Sequence, residues 1–169
     1  MSKEWNIRPA TEADWPGIWK IFREVISHGD TYTYAPDFSE EQAKHIWIFD
    51  GCHAYVVTHG DQTVGTFTIR TNKPGFGNHV ANAGYMVHKD YRGRGIAQDM
   101  CGYSLKEAKK LGFDAMQFNF VVASNAPAVA LWQKMGFKIV GTVPKAFRHR
   151  KLGPTDVHIM YRSLEDIKT

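Results

Sequence analysis

The chain has 169 residues, 43% of them hydrophobic and 13% aromatic, which is enough for one substantial core over residues 1–169 and leaves no room for a second domain. Its formal net charge of +4 fits an anionic partner, but the basic clusters at 89–94 and 145–151 lack a long basic helix or a nucleic-acid motif, so nucleic acid is disfavoured. Two cysteines, Cys52 and Cys101, lie outside any CxxC pair, and eight histidines show no HxxxH or HExxH spacing, so neither a disulfide framework nor a metal site is expected.

The opening MSKEWNIRPA is polar and charged where a signal peptide needs an apolar stretch, and the apolar runs are short. A cytoplasmic location with no membrane partner is the expectation. Residues 5–8 read as a first strand. Thr11 with Asp14 then caps a helix whose apolar face is Trp15, Ile18, Trp19, Phe22, Val25 and Ile26, and Gly29 stops it. After the irregular stretch DTYTYAPDF, Ser39 with Glu40 and Glu41 starts a shorter helix to about residue 49. Strands come next at 53–58 and 63–70 around the turn HGDQ, then a glycine-rich loop NKPGFGN and a strand over 80–87.

The run GYMVHKDYRGRGIA, residues 84–97, is a strand feeding a glycine- and arginine-rich turn that opens a helix. Gly93 and Gly95 let the backbone approach a ligand, the helix start presents free N–H groups, and Arg92 and Arg94 add positive charge. These parts suit a phosphate group. Gln98 stands where a dinucleotide fingerprint needs its third glycine, and no Gly-Lys-Ser/Thr comes after it, so neither common nucleotide loop applies. A helix with Gly112 as its stop, a strand over 115–122, a helix over 125–135, and strands over 137–143 and 155–161 complete the chain. Hairpins early and helical crossovers late imply an α/β (α+β) fold: a mixed, mostly antiparallel sheet of six or seven strands with helices on both faces.

Arg92, Gly95 and Ala97, then Asn125, Ala128, Leu131, Gly136 and Phe137, resemble the acyl-CoA signature of the GNAT family of N-acetyltransferases. The resemblance implies acetyl-CoA as cosubstrate, held by the backbone of Met86 and Val87, by the turn Arg92, Gly93, Arg94, Gly95, Ile96 and Ala97, and by Asn125. Asn125 is equally well explained as a helix N-cap before Pro127. NAGYMV, FNFVVASN and GTVPKAF are similar to a narrower branch that includes the yeast azetidine-2-carboxylate acetyltransferase, and KAFRHRKLGPTD resembles a loop of phosphinothricin acetyltransferases. On that likeness Asn82 and Asn119 are the catalytic candidates. Tyr32, Tyr34, Asn82, Asn119 and His149 are the candidate residues for a small amine acceptor, an amino acid or analogue.

Strand alternation places Asn82, Gly84 and Met86 on one face, and Gln117, Asn119 and Val121 opposite Met116, Phe118 and Phe120. Two departures from the family pattern bear on the chemistry. Trp132 replaces the tyrosine that relatives use to protonate the departing thiolate, and an indole has no such proton to give. Asn82 stands where some relatives carry a glutamate, and an amide cannot take the amine proton. No Cys or Ser sits beside an evident base, which favours direct transfer over a covalent enzyme intermediate. A non-catalytic acyl-CoA sensor and a protein N-acetyltransferase are the alternatives. Sequence leaves the acceptor and the oligomeric state open, although homodimers are common in the family.

Overall fold

In the computed structural model, which describes residues 4–169, the first half of the sheet grows by simple neighbour pairing. Strands β1 (Asn6–Pro9), β2 (His53–His59), β3 (Gln62–Thr71) and β4 (Val80–Val87) lie side by side and antiparallel. Strand β5 (Ala115–Val122) runs parallel to β4, and β6 (Lys138–His149) and β7 (Gly153–Ser163) extend the sheet beyond it. The order over the described residues is β1-β2-β3-β4-β5-β7-β6, mixed and mostly antiparallel, as the α/β reading anticipates. Helix α3 (Ile96–Lys110) makes the crossover that a parallel pair requires.

Helices α1 (Trp15–His28) and α2 (Glu40–Ile48) cover one face, and α3 with α4 (Ala126–Lys134) pack on the other core. The start of α1 is set by the Thr11 amide and hydroxyl, both donating to Asp14 Oδ2 at 2.8 and 3.1 Å, and its end by Gly29 at φ 62°. The buried stripe is Trp15, Ile18, Ile21, Phe22, Val25 and Ile26; Ile21 takes the core place expected for Trp19, which lies at the core's edge against Trp15 and Phe22. Ser39 caps α2 by accepting from the Gln42 amide at 3.1 Å. Burying side chains as large as Phe22 and Trp47 stabilises the domain by about 2–3 kcal/mol each.

Two sequence expectations change. Strand β6 does not end near 143 but runs on to His149, so KAFRHRKLGPTD is largely a β6–β7 hairpin. Its register shifts between Val143 and Phe147 around Lys145 at φ 52°, whose amide donates to Asp156 Oδ1 at 2.9 Å, and Phe147 is anchored in a small core with Val122 and Val157. Strand β5 carries a bulge between Phe118 and Val121, so Val121 joins Met116 and Phe118 in the core while Phe120 is exposed, opposite to strict alternation. Asn119 is accordingly exposed and does not sit in the middle of a buried strand.

The feature that positions the site is the short contact between β4 and β5, which pair only at Val80 with Ala115 and at Ala81 with Met116. Past those residues the strands diverge. The sheet opens into two arms, β1–β4 and β5–β7–β6, with the later residues of β4 facing a wedge.

Candidate functional site

Backbone parity decides what β4 offers the wedge. The His88 amide donates to Val64 O at 2.9 Å and the Asn72 amide to Val80 O at 2.8 Å, so even-numbered residues of β4 bond to β3. Odd-numbered residues turn their backbone groups the other way. Val87 therefore presents its N–H to the wedge, whereas Met86 is committed to Thr66 and buries its side chain against α1 and α2. Met86, expected to offer its backbone to a ligand, is paired to β3, and the backbone groups that face the wedge beside Val87 are those of Tyr85. The Tyr85 carbonyl does face the opening, where it accepts the Tyr32 hydroxyl at 2.8 Å.

At the end of β4, His88 caps a short turn, its Nδ1 accepting the Asp90 amide at 3.3 Å, and the chain enters the arginine-rich loop. Gly93 and Gly95 adopt φ 74° and 87°, values that L side chains rarely take, and a Cβ built at either would meet nothing within 4 Å. The loop is an open cradle ending at the first N–H groups of α3. Such a loop can accept an anion through its amides, with the helix dipole aimed outward. Arg94 lies over the Tyr91 ring at 4.8 Å, and Arg92 pairs with Glu24 of α1 at 3.0 Å. Lys134 reaches Gln98 at 2.9 Å, closing the loop from the α4 side. Ile96 is buried and anchors the helix, so Ile96 and Ala97 serve the cradle through their amides.

Asn125 precedes α4 at φ −82°, ψ 65°, and its side chain makes no capping bond. Its amide group is left available beside the wedge. Trp132 is 9% exposed and packed against Tyr85 and Phe118 at centroid distances of 4.9 and 5.0 Å. It is a core residue.

The α1/α2 face of the wedge is polar. Asn82 donates to the Gln117 carbonyl at 2.9 Å, bridging the arms just where they part. Gln117 Nε2 in turn donates to Asn119 Oδ1 at 3.0 Å, and Asn119 Nδ2 to Asn72 Oδ1 at 2.6 Å. The two candidate asparagines thus share one face and one chain of hydrogen bonds, through Gln117, without touching. Sequence reasoning misses Asn72 and Gln117; Asn72 opens the loop-like stretch NKPGFGN, which gives no hint of the contact. Tyr32 and Tyr34 stack at 5.9 Å above this face. Burial raises both phenols above the ordinary tyrosine range, so both stay neutral. Gly84 makes room for Tyr32 and Trp47: a Cβ there would lie 3.3 Å from the Tyr32 hydroxyl and 3.6 Å from Trp47.

The two arms meet again at the far end of this face. The hairpin residue Arg150 donates its amide to Gly29 O at 3.0 Å and its guanidinium to Ser27 O at 2.8 Å, latching the β6–β7 hairpin to the end of α1. His149 shapes the hairpin, Nδ1 accepting the amides of Lys151 and Leu152 at 3.1 and 3.2 Å. Only its Nε2 is left for a ligand. Among the described residues no group of three His, Cys, Asp or Glu is placed to hold a metal, and no helix is long and apolar enough to cross a membrane.

A wedge where β4 has no neighbouring strand thus runs into a glycine-opened helix N-terminus. Comparison with known proteins supplies the family. Residues 15–137 match the model of the acetyltransferase (GNAT) family, and the chain belongs to that family. It is 33% identical over 107 residues to the N-acetyltransferase aca1 of Schizosaccharomyces pombe, a match that spans 61% of this chain and 51%, about half, of that relative. A GCN5-related N-acetyltransferase from Kribbella flavida superposes with a TM-score of 0.91 at 40% identity, over 95% of this chain and 98% of that one. The fold also matches yncA from Salmonella typhimurium, solved with its cofactor acetyl-CoA, at a TM-score of 0.81 and 18% identity over 98% and 96% of the two chains.

Proposed function

We propose that the protein transfers the acetyl group of acetyl-CoA to the amine of a small molecule, an amino acid or analogue, by direct attack. The observation that carries this reading is the half-paired β4, whose free backbone groups lead straight to the cradle of Gly93 and Gly95. Those residues fit the cosubstrate. The Tyr85 and Val87 backbones would hold its pantetheine arm, the amides from Arg92 to Ala97 its diphosphate, and Asn125 the adjoining stretch. When bound, acetyl-CoA supplies an activated thioester.

This chain's residues then do three things. Val87 N–H is positioned to donate to a carbonyl oxygen lying in the wedge, which favours charge developing there. Asn82 and Asn119 orient the acceptor from the α1/α2 face, and neither can take its proton, so the amine must arrive neutral and the proton it sheds on attack passes to water. Trp132, Tyr85 and Phe118 keep the opposite face dry and donate no proton there, which leaves thiol protonation to solvent. The latch from Arg150 to the end of α1 ties the two arms together beside this face, which supports a small acceptor over a protein substrate.

The test is thiol release from acetyl-CoA across a panel of free amino acids, including proline analogues and phosphinothricin, beside Asn82→Ala. At least one acceptor should turn over, with kcat/KM rising with pH in step with the acceptor amine, and Asn82→Ala should lower it at least tenfold. Tight acetyl-CoA binding with every acceptor silent would replace the reading by that of a sensor.

A further inference from the structure

We infer that Arg70 is the receptor for the acceptor's carboxylate. This deepens the proposed function and rests on it. Arg70 lies on β3 in register with Asn82 of β4, so the two side chains leave neighbouring strands on the same sheet face. One guanidinium N–H donates to the Ile46 carbonyl near the end of α2 at 2.6 Å, which fixes the group beneath that helix. Among the described residues no carboxylate pairs with it. Arg8, Arg92 and Arg162 each have an aspartate or glutamate within 3.0 Å. Arg23, Arg94, Arg148 and Arg150 form no ion pair among the described residues either, but they are exposed, whereas Arg70 is half buried.

Arg70 is half buried, with the Ile46 carbonyl as its hydrogen-bond partner. A half-buried guanidinium holding one carbonyl retains donors in a planar fork suited to a carboxylate. Its neighbours agree. Its charge opposes the upward push of burial on the Tyr34 phenol and the Cys52 thiol, which places it at the foot of the tyrosine wall. Asn82 is its cross-strand neighbour, and Gln117, Asn119 and Asn72 continue the polar face beyond it. A free amino acid lying there with its carboxylate on Arg70 directs its amine along β4 toward the wedge, one strand away. A substrate lacking that carboxylate finds the same asparagines and no cation.

The experiment compares kcat and KM for the best free amino acid and for its carboxamide in the parent protein, Arg70→Gln and Arg70→Lys, with unfolding temperatures measured alongside. In the parent the amino acid is preferred. Arg70→Gln raises KM for the amino acid about 10- to 100-fold, the range of one charge-assisted hydrogen bond pair, and leaves KM for the carboxamide and kcat within about twofold. Arg70→Lys recovers part of the preference. If Arg70 only caps α2, Arg70→Gln lowers the unfolding temperature while the preference for the free carboxylate stays intact, which overturns the assignment and leaves acetyl transfer standing. If the parent acetylates the carboxamide as well as the amino acid, the assignment also falls. If it acetylates neither, the underlying reading falls with it.

Discussion

Asn125→Ala separates a structural asparagine from a ligand-binding one, and the numbers come from the geometry of the α4 start. An asparagine that caps its helix is worth about 1 kcal/mol, because it accepts from an N–H that nothing else satisfies. Asn125 makes no such bond at ψ 65°. Its replacement by alanine is therefore expected to cost less than about 0.5 kcal/mol, a shift in Tm under about 2 °C for a chain of this size. Loss of a neutral hydrogen bond to the carrier is worth about 1 kcal/mol, or about fivefold in the Kd for coenzyme A. Ser39→Ala is the internal control, since Ser39 does cap its helix at 3.1 Å: it should lower stability by about 1 kcal/mol and leave coenzyme A binding unchanged. Calorimetric unfolding and titration with coenzyme A read both quantities on the same samples. If Asn125→Ala loses stability as Ser39→Ala does while its Kd stays at the parent value, the asparagine is a cap and the carrier contact is wrong.

Two further outcomes concern the frame around the site. Gly17→Ala drives a Cβ into Thr63 Oγ1 and to 2.7 Å from Thr63 Cβ, so the overpacking outweighs the gain in helix propensity and costs roughly 1–2 kcal/mol. Urea unfolding that shows this variant as stable as its parent would contradict the close packing of α1 on β3. Asp14 titrates at about 2 instead of the ordinary 3.8, chiefly because Arg8 donates to both its oxygens at 2.7 and 2.8 Å. A depressed folded-state value means stability that is complete above pH 3.8 and lost as pH falls toward 2. With Arg8 41% exposed, solvent screening reduces this to about 1 kcal/mol. Asn in place of Asp14 should flatten the stability curve between about pH 2 and 5; an unchanged slope would remove the pair from the account.

The fold is legible because the local signals are strong and agree. Thr11 with Asp14, Ser39, Gly29 and the strand over 80–87 all lie where spacing and capping chemistry put them. The errors are of a different kind. The bulge after Phe118 and the extension of β6 to His149 depend on a partner strand, β7, whose pairing no local window contains. The candidate site divides the same way. Its glycine loop is written in a few consecutive residues, whereas the polar face joins Asn72, Asn82 and Asn119 through Gln117 across strands, and Arg70 is one basic residue among many until its register with Asn82 is seen. Met86 is misassigned when side-chain alternation is applied without its companion, the alternation of amides between neighbouring strands.

A sheet left half zipped has a thermodynamic cost that any occupant of the opening can relieve. An extended molecule lying along β4 takes the role of an absent neighbour, converting solvent-facing amides into ladder bonds and tying two otherwise hinged plates together. Catalysis and cohesion then draw on the same few hydrogen bonds, and the protein should resist unfolding best at the moment it is loaded for work.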